Sequence, residues 1–108
     1  MHEEKITADE VKVRMDRGEP IAFADAREGR AWADSDFKLP RAVRVPPDDI
    51  DPHIEDLPHD RTLVVYCTSP NERTSTRVAQ ELRERGFRDV RVLAGGFEQW
   101  RLAGYPLD

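Results

Sequence analysis

The sequence has 108 residues, of which 38% are hydrophobic and 36% are charged, and its formal net charge at pH 7 is −5. The length predicts one compact domain over residues 1–108, and the acidic balance argues against nucleic acid as a main partner, because binding phosphates requires a concentration of Lys and Arg. The longest apolar run, residues 63–67, is far too short to cross a bilayer, and no secretory signal is evident at the N-terminus, so we expect a cytoplasmic protein without membrane insertion. The single cysteine, Cys67, excludes an intramolecular disulfide, and with no Cys/His cluster we expect neither a metal site nor a cofactor.

The first predicted element is a helix over residues 8–17. Thr7 and Glu10 have the three-residue spacing of a capping box, in which each side chain accepts a hydrogen bond from the other residue's backbone N–H. Ile6 and Val11 are placed to pack together at the helix entry, and Gly18 is placed to end the helix.

Two short strands are predicted next. Residues 21–25 have the pattern of a buried strand that ends in polar side chains, and residues 43–45 alternate as a second strand, which the following prolines end. A weak helical pattern covers residues 28–37 between them. One turn of helix is expected around residues 50–54.

The clearest pattern is a strand, a helix and a strand. Residues 62–66 are typical of a central strand, and residues 90–95 predict another. The helix between them has small or apolar side chains at the spacing of one face, namely Ser75, Val78, Ala79 and Leu82. Such a unit requires parallel strands. With a last short helix that carries Phe97 and Trp100 on one face, the sequence predicts a three-layer α/β sandwich on a mainly parallel sheet.

Cys67 lies where the predicted central strand gives way to a polar loop. In open parallel sheets, ligands bind outside the carboxyl ends of the strands, where loops lead into helices. The backbone N–H groups of residues 68–74 and the positive end of the next helix are therefore expected to hold an anion beside the sulfur and to favour its nucleophilic thiolate form. Arg73 adds a positive charge with a planar fork suited to an oxyanion.

The polar residues of this loop are the candidates for binding substrate: Thr68, Ser69, Asn71, Glu72, Thr74 and Ser75. For Ser69, Thr74 and Ser75 the alternative is that they only bind local backbone groups. For Cys67 the alternative is a small inert residue at a strand end.

Over nearly its whole length the chain resembles a single rhodanese-like domain. The matching segments, in order, are ITADEVKVRMDRGEPIAFADAR, LPRAVRVP, LVVYC, RVAQELRERGF and VRVLAGGFEQWRLAGYPL. Each segment is a weak signal, but their order and spacing together are specific. The resemblance implies a five-stranded parallel sheet flanked by helices, with the nucleophilic cysteine in the loop after the fourth strand.

The resemblance also implies a sulfurtransferase. The Cys67 thiolate would take a sulfur atom from a small sulfur-containing anion such as thiosulfate, and the persulfide would pass it to cyanide or to a thiol, a protein thiol among the candidates. The loop amides and Arg73 would stabilise the charged intermediate, and Asp25 and Arg27 would brace the loop from the neighbouring strand end.

The loop departs from the common sulfurtransferase pattern, because Arg73 is the sixth residue after Cys67 rather than the fifth. We therefore expect a longer and wider loop, in which Pro70 removes an N–H donor and Glu72 places a negative charge near the bound anion. The same spacing, with Glu before Arg, occurs in cell-cycle phosphatases of this superfamily, although those have His where this chain has Tyr66. A phosphatase, an arsenate reductase that uses an external thiol, and a non-catalytic binding or regulatory module are the alternatives.

Overall fold

The computed structural model describes residues 4–68 and 72–108. The strands are β1 (Lys5–Ile6), β2 (Ile21–Asp25), β3 (Val43–Arg44), β4 (Thr62–Tyr66) and β5 (Val90–Leu93). The helices are α1 (Ala8–Asp16), α2 (Gly29–Asp34), α3 (Arg73–Glu84) and α4 (Gly96–Leu102), and a 3-10 helix spans Asp51–Asp56. The five strands form one sheet in the order β1-β5-β4-β2-β3 with all pairs parallel, so the predicted fold class is confirmed.

Helix α1 begins at the predicted capping box. The Thr7 hydroxyl accepts a hydrogen bond from the Glu10 N–H (3.1 Å), and the Glu10 carboxylate accepts one from the Thr7 N–H (2.9 Å). The helix ends at Asp16, one residue before the predicted end, and Gly18 follows with φ of +79°. Ile6 and Val11 lie in the same buried cluster, as expected of the residues that flank the helix entry.

The central strand β4 supplies both hydrophobic cores because its side chains alternate between the two faces of the sheet. Leu63 and Val65 belong to the core that contains the buried face of α3. Val64 and Tyr66 belong to the core on the opposite face, which includes buried residues of α1 and α4. The helices therefore cover both faces of the sheet, which gives the predicted three layers.

The unit β4-α3-β5 is the predicted parallel crossover. Its helix buries the four residues expected from the spacing: Ser75, Val78, Ala79 and Leu82. Because all strands are parallel, their carboxyl ends lie at one edge of the sheet. The end of β2, the end of β4 and the turn of residues 94–95 after β5 therefore meet where Cys67 lies.

Several boundaries differ from the sequence prediction besides the end of α1: strand β5 ends at Leu93 rather than at residue 95, and α2 is confined to Gly29–Asp34. Strand β1 was not predicted, because two residues at a sheet edge are too few to show a period. Strand β3 ends one residue earlier than predicted, and the helical turn near residue 50 is a 3-10 helix that reaches Asp56. Among residues 4–68 and 72–108, no helix is both long and apolar enough to cross a membrane.

Candidate active site

Cys67 directly follows the central strand β4 and is buried, with 1% of its surface exposed. Its thiol donates a hydrogen bond to the Ser75 hydroxyl, with the Sγ and Oγ atoms 3.3 Å apart. Its backbone carbonyl accepts a hydrogen bond from the Phe97 N–H at 2.9 Å. The cysteine is thus attached to the first turn of α3 through its side chain and to the first turn of α4 through its backbone.

The beginning of α3 provides a positive electrostatic environment for the sulfur. The first N–H groups of any α-helix have no acceptor within the helix, and the helix dipole places partial positive charge there. Ser75, which contacts the Cys67 sulfur, lies in this first turn and is fully buried. The Ser75 hydroxyl donates to the Glu72 carbonyl at 3.3 Å, so it connects the sulfur to the start of the helix. The Cys67 sulfur therefore lies beside the end of α3 at which anions bind favourably.

The other residues proposed from the loop lie at different places around this turn. Thr68 is exposed and follows Cys67 directly, and Arg73 is exposed as the first residue of α3. The Thr74 hydroxyl donates to the Glu28 carboxylate at 3.3 Å, which ties the start of α3 to the residue before α2. Ser69 and Asn71, together with Pro70, lie outside the residues that the structure describes, and contact of any loop residue with substrate stays a prediction.

The Glu72 carboxylate, expected from the sequence to lie near the bound anion, has two partners from distant parts of the chain. One carboxylate oxygen lies 2.7 Å from the Lys5 ammonium, and the other accepts the Gly95 N–H at 3.0 Å. Burial acts to raise the pKa of Glu72, but the hydrogen bonds from Lys5 and Gly95 outweigh it and lower the pKa. The carboxylate is therefore ionised at neutral pH and is paired with a cation.

Asp25 and Arg27 form a buried ion pair at the end of β2. Their closest atoms, Nη2 and Oδ2, are 2.7 Å apart, and Arg27 Nε lies within 3.1 Å of both carboxylate oxygens. The guanidinium also donates to the Phe37 carbonyl and lies 4.6 Å from the centre of the Phe97 ring. Arg27 thus contacts the aromatic residue whose N–H binds the Cys67 carbonyl, a geometry suited to the bracing role expected of this pair.

Tyr66 completes the network, and the sequence reasoning gave it no such role. Its hydroxyl donates to Asp25 Oδ2 at 2.8 Å and accepts the Leu39 N–H at 3.3 Å. Burial, and next the charge of Asp25, raise the pKa of Tyr66, so the phenol stays protonated and remains a donor. The parallel pairing places Tyr66 beside Asp25, and a buried tyrosine needs a hydrogen-bond partner. The sequence signal that could have predicted this contact is the tyrosine hydroxyl at the end of β4 together with the aspartate carboxylate at the end of β2.

The comparisons with known proteins agree with this architecture. The model of the rhodanese-like domain family matches residues 7–103 of the chain. The thiosulfate sulfurtransferase GlpE of Coxiella burnetii is 30% identical over 81 residues, which are 75% of this chain and 72% of that protein. An HTH-type transcriptional regulator of Mycobacterium tuberculosis is 29% identical over 106 residues, or 98% of this chain, and the chain spans 45% of that regulator's length.

A solved structure shows the same fold. The solution structure of the rhodanese-like domain from an Anabaena protein superimposes with a TM-score of 0.78 at 29% identity, and the match covers 99% of this chain and 80% of that one. Together with the parallel sheet and the cysteine after its fourth strand, these matches establish the relationship. The chain belongs to the rhodanese-like domain family.

Proposed function

We propose that this domain is a sulfurtransferase that carries a sulfur atom on Cys67 as a persulfide. The observation that carries the proposal is the position of the Cys67 sulfur, 3.3 Å from the Ser75 hydroxyl in the first turn of α3. A helix N-terminus stabilises a thiolate and equally a negatively charged persulfide. The relatives named thiosulfate sulfurtransferase, at about 30% identity, support this reaction class.

The reaction consists of two displacements at sulfur. The Cys67 thiolate attacks the outer sulfur of thiosulfate, an S–S bond forms to the cysteine, and the S–S bond of thiosulfate breaks as sulfite leaves with the electron pair. Cyanide then attacks the outer sulfur of the persulfide and leaves as thiocyanate, which returns the electron pair to the Cys67 thiolate. A thiol acceptor, once deprotonated, attacks in the same way and becomes the new persulfide. No external oxidant or reductant is needed.

Ser75 can follow the change in charge. In the thiol state the Ser75 hydroxyl accepts a hydrogen bond from the Cys67 thiol and donates one to the Glu72 carbonyl. Because a hydroxyl rotates to suit its partners, the same proton can turn to the sulfur once the thiolate or the persulfide forms. The sequence contains one cysteine, so within these 108 residues no second thiol can accept the sulfur, and the acceptor is an external thiol or cyanide.

Phosphate ester hydrolysis is the second candidate, because Cys67 and Arg73 have the spacing of the related phosphatases. Release of an alcohol from a phosphate ester is assisted by a protonated acid near the leaving oxygen. Glu72, the acidic residue of this loop, has a lowered pKa and is bound to Lys5 and Gly95. This environment disfavours Glu72 as the proton donor and supports sulfur transfer as the first choice.

Steady-state kinetics with thiosulfate and cyanide, with an aryl phosphate assayed in parallel, tests the proposal. We expect thiocyanate formation with parallel double-reciprocal lines, and complete loss in Cys67→Ser. Arg73→Met should lower kcat/KM for thiosulfate about tenfold or more, as the loss of a cation near a developing charge does. Arg77→Met, in the next turn of α3 where Arg77 pairs with Glu81, is the matched control and should change little. Thiocyanate formation by Cys67→Ser, or faster turnover of the aryl phosphate, would contradict the proposal.

A further inference from the structure

Glu72 has an unusual backbone conformation at the junction of the Cys67 loop, here residues 67–72, with α3. Its φ of 56° and ψ of 22° are left-handed, a region that residues other than glycine rarely adopt and that has to be held by surrounding contacts. Glu72 is also 7% exposed, which is rare for a carboxylate. Both features require specific partners.

The partners come from two distant parts of the chain. Lys5 in the edge strand β1 pairs with Oε1 of Glu72, and Gly95 in the turn after β5 donates its N–H to Oε2. Two residues beyond Gly95, the Phe97 N–H binds the Cys67 carbonyl. Both ends of the Cys67 loop are therefore attached to residues 95–97, at one end through the Glu72 side chain and at the other through the Cys67 backbone.

The attachment through Glu72 introduces a negative charge next to a site built for a negative sulfur. The Glu72 carbonyl is already linked to the sulfur through the Ser75 hydroxyl. An uncompensated carboxylate at this place would oppose the thiolate and the persulfide. The Lys5 ammonium, which contacts the carboxylate directly, supplies the compensating charge.

We propose that Glu72 and Lys5 are positioning residues of the sulfur-transfer site: Glu72 holds the end of the Cys67 loop on the turn at Gly95, and Lys5 cancels the charge that this attachment introduces. The inference rests on the proposed function, since it assumes that a negative sulfur has to be stabilised. According to this inference, Lys5 in the edge strand β1 affects the reactivity of Cys67 although it is not part of the loop.

The other charged groups near the loop are held by different partners. At the end of β2, Asp25 pairs with Arg27 and, at 3.7 Å, with Arg44, and Glu28 accepts a hydrogen bond from the Thr74 hydroxyl. Arg73 is exposed at the start of α3. The contact that Lys5→Met removes is the ion pair with Glu72, so the substitution changes the charge balance at that carboxylate.

The test is the pH dependence of Cys67 alkylation by iodoacetamide, a neutral reagent whose approach is not steered by charge. Lys5→Met should lower the alkylation rate about threefold or more at a pH below the midpoint of the wild-type profile, because the Glu72 charge is then no longer offset and solvent at the half-exposed Lys5 position screens only part of the effect. Glu72→Gln removes the charge but keeps an amide oxygen for the Gly95 N–H. The double variant, Lys5→Met with Glu72→Gln, should therefore recover the wild-type profile.

Lys12→Met is the matched control, because it removes a lysine from the ion pair with Asp16 on the exposed side of α1. Its alkylation profile should equal that of the wild type. An unchanged profile in Lys5→Met, or a double variant as slow as Lys5→Met alone, would overturn the inference, since the lysine would then have no effect or would act without Glu72.

The two proposals fail in different ways. A wild-type protein whose Cys67 alkylates rapidly at neutral pH and gains sulfur from thiosulfate, with Lys5→Met indistinguishable from it, refutes the role of Lys5 and Glu72 alone. A wild-type protein whose Cys67 neither alkylates at neutral pH nor gains sulfur refutes the sulfurtransferase proposal, and this inference with it.

Discussion

Removal of the Tyr66 hydroxyl is the sharpest test of the buried network beside Cys67. The substitution Tyr66→Phe keeps the ring in the core and deletes one oxygen atom. That oxygen donates to the Asp25 carboxylate at 2.8 Å and accepts the Leu39 N–H at 3.3 Å. All three residues are buried, so water cannot replace either hydrogen bond without a change in packing.

The expected cost follows from these two bonds. A hydrogen bond to a charged group contributes about 1.5–3 kcal/mol, and a buried N–H left without an acceptor costs about 1–3 kcal/mol. Because Asp25 keeps its bonds to Arg27, we expect the lower part of the combined range, a loss of about 2.5–3.5 kcal/mol in the free energy of unfolding. For a domain of this size the melting temperature should fall by about 10 °C.

Tyr105→Phe is the matched control for this substitution. The Tyr105 hydroxyl also donates to a carboxylate, that of Asp9, but at the protein surface. Water can hydrogen-bond to the Asp9 carboxylate after the substitution, so the loss should stay below about 1 kcal/mol. Urea unfolding of the two variants and the wild type gives both values. Equal losses for Tyr66→Phe and Tyr105→Phe, or a loss below about 0.5 kcal/mol for Tyr66→Phe, would refute the energetic argument.

Three further predictions concern the elements that support the site. Thr7→Ala should cost about 1 kcal/mol in urea unfolding through loss of the capping box, and Thr7→Ser should restore most of it. Gly95→Ala should lower the free energy of unfolding by about 2–3 kcal/mol, because the φ of Gly95 is +78° and the new Cβ would lie 2.6 Å from the Cβ of Gln99. Gly104→Ala places its Cβ in open space and should cost about 1 kcal/mol, so equal costs would contradict this reasoning. The pKa of Glu72 is lower in the folded protein than its ordinary value of 4.5, so its ionised form stabilises the fold above pH 4.5, and this stability is lost as the pH falls through the folded-state pKa. Glu72→Gln should therefore flatten the acid side of a plot of melting temperature against pH, and an unchanged acid side would contradict this.

The elements that the sequence predicted well are those set by local spacing. The capping box of α1 depends on two residues three positions apart, and the buried face of α3 depends on a helical period, so both could be predicted without knowledge of distant parts of the chain. The position of Cys67 at the end of the central strand also followed from the order of strand, loop and helix. Strand β1 could not be found in this way, because its two residues form a strand only through pairing with β5.

The contacts of Glu72 show why the site itself was harder to predict. The sequence places Glu72 next to Arg73 and five residues after Cys67, which indicated a charge near the bound anion. The sequence did not indicate that this carboxylate binds Lys5 and Gly95, which are 67 and 23 residues away along the chain. Only the parallel order of β1, β5 and β4 brings these residues together, and no local pattern carries that information.

The central claim is that the Cys67 sulfur can hold a transferable sulfur atom at the start of α3. The most direct test is the intact mass of the protein after incubation with thiosulfate at neutral pH, followed by fragmentation to locate any added mass. The account predicts one added sulfur atom on Cys67, which disappears when cyanide is added. A protein that never gains this sulfur, or that keeps it in the presence of cyanide, would contradict the account.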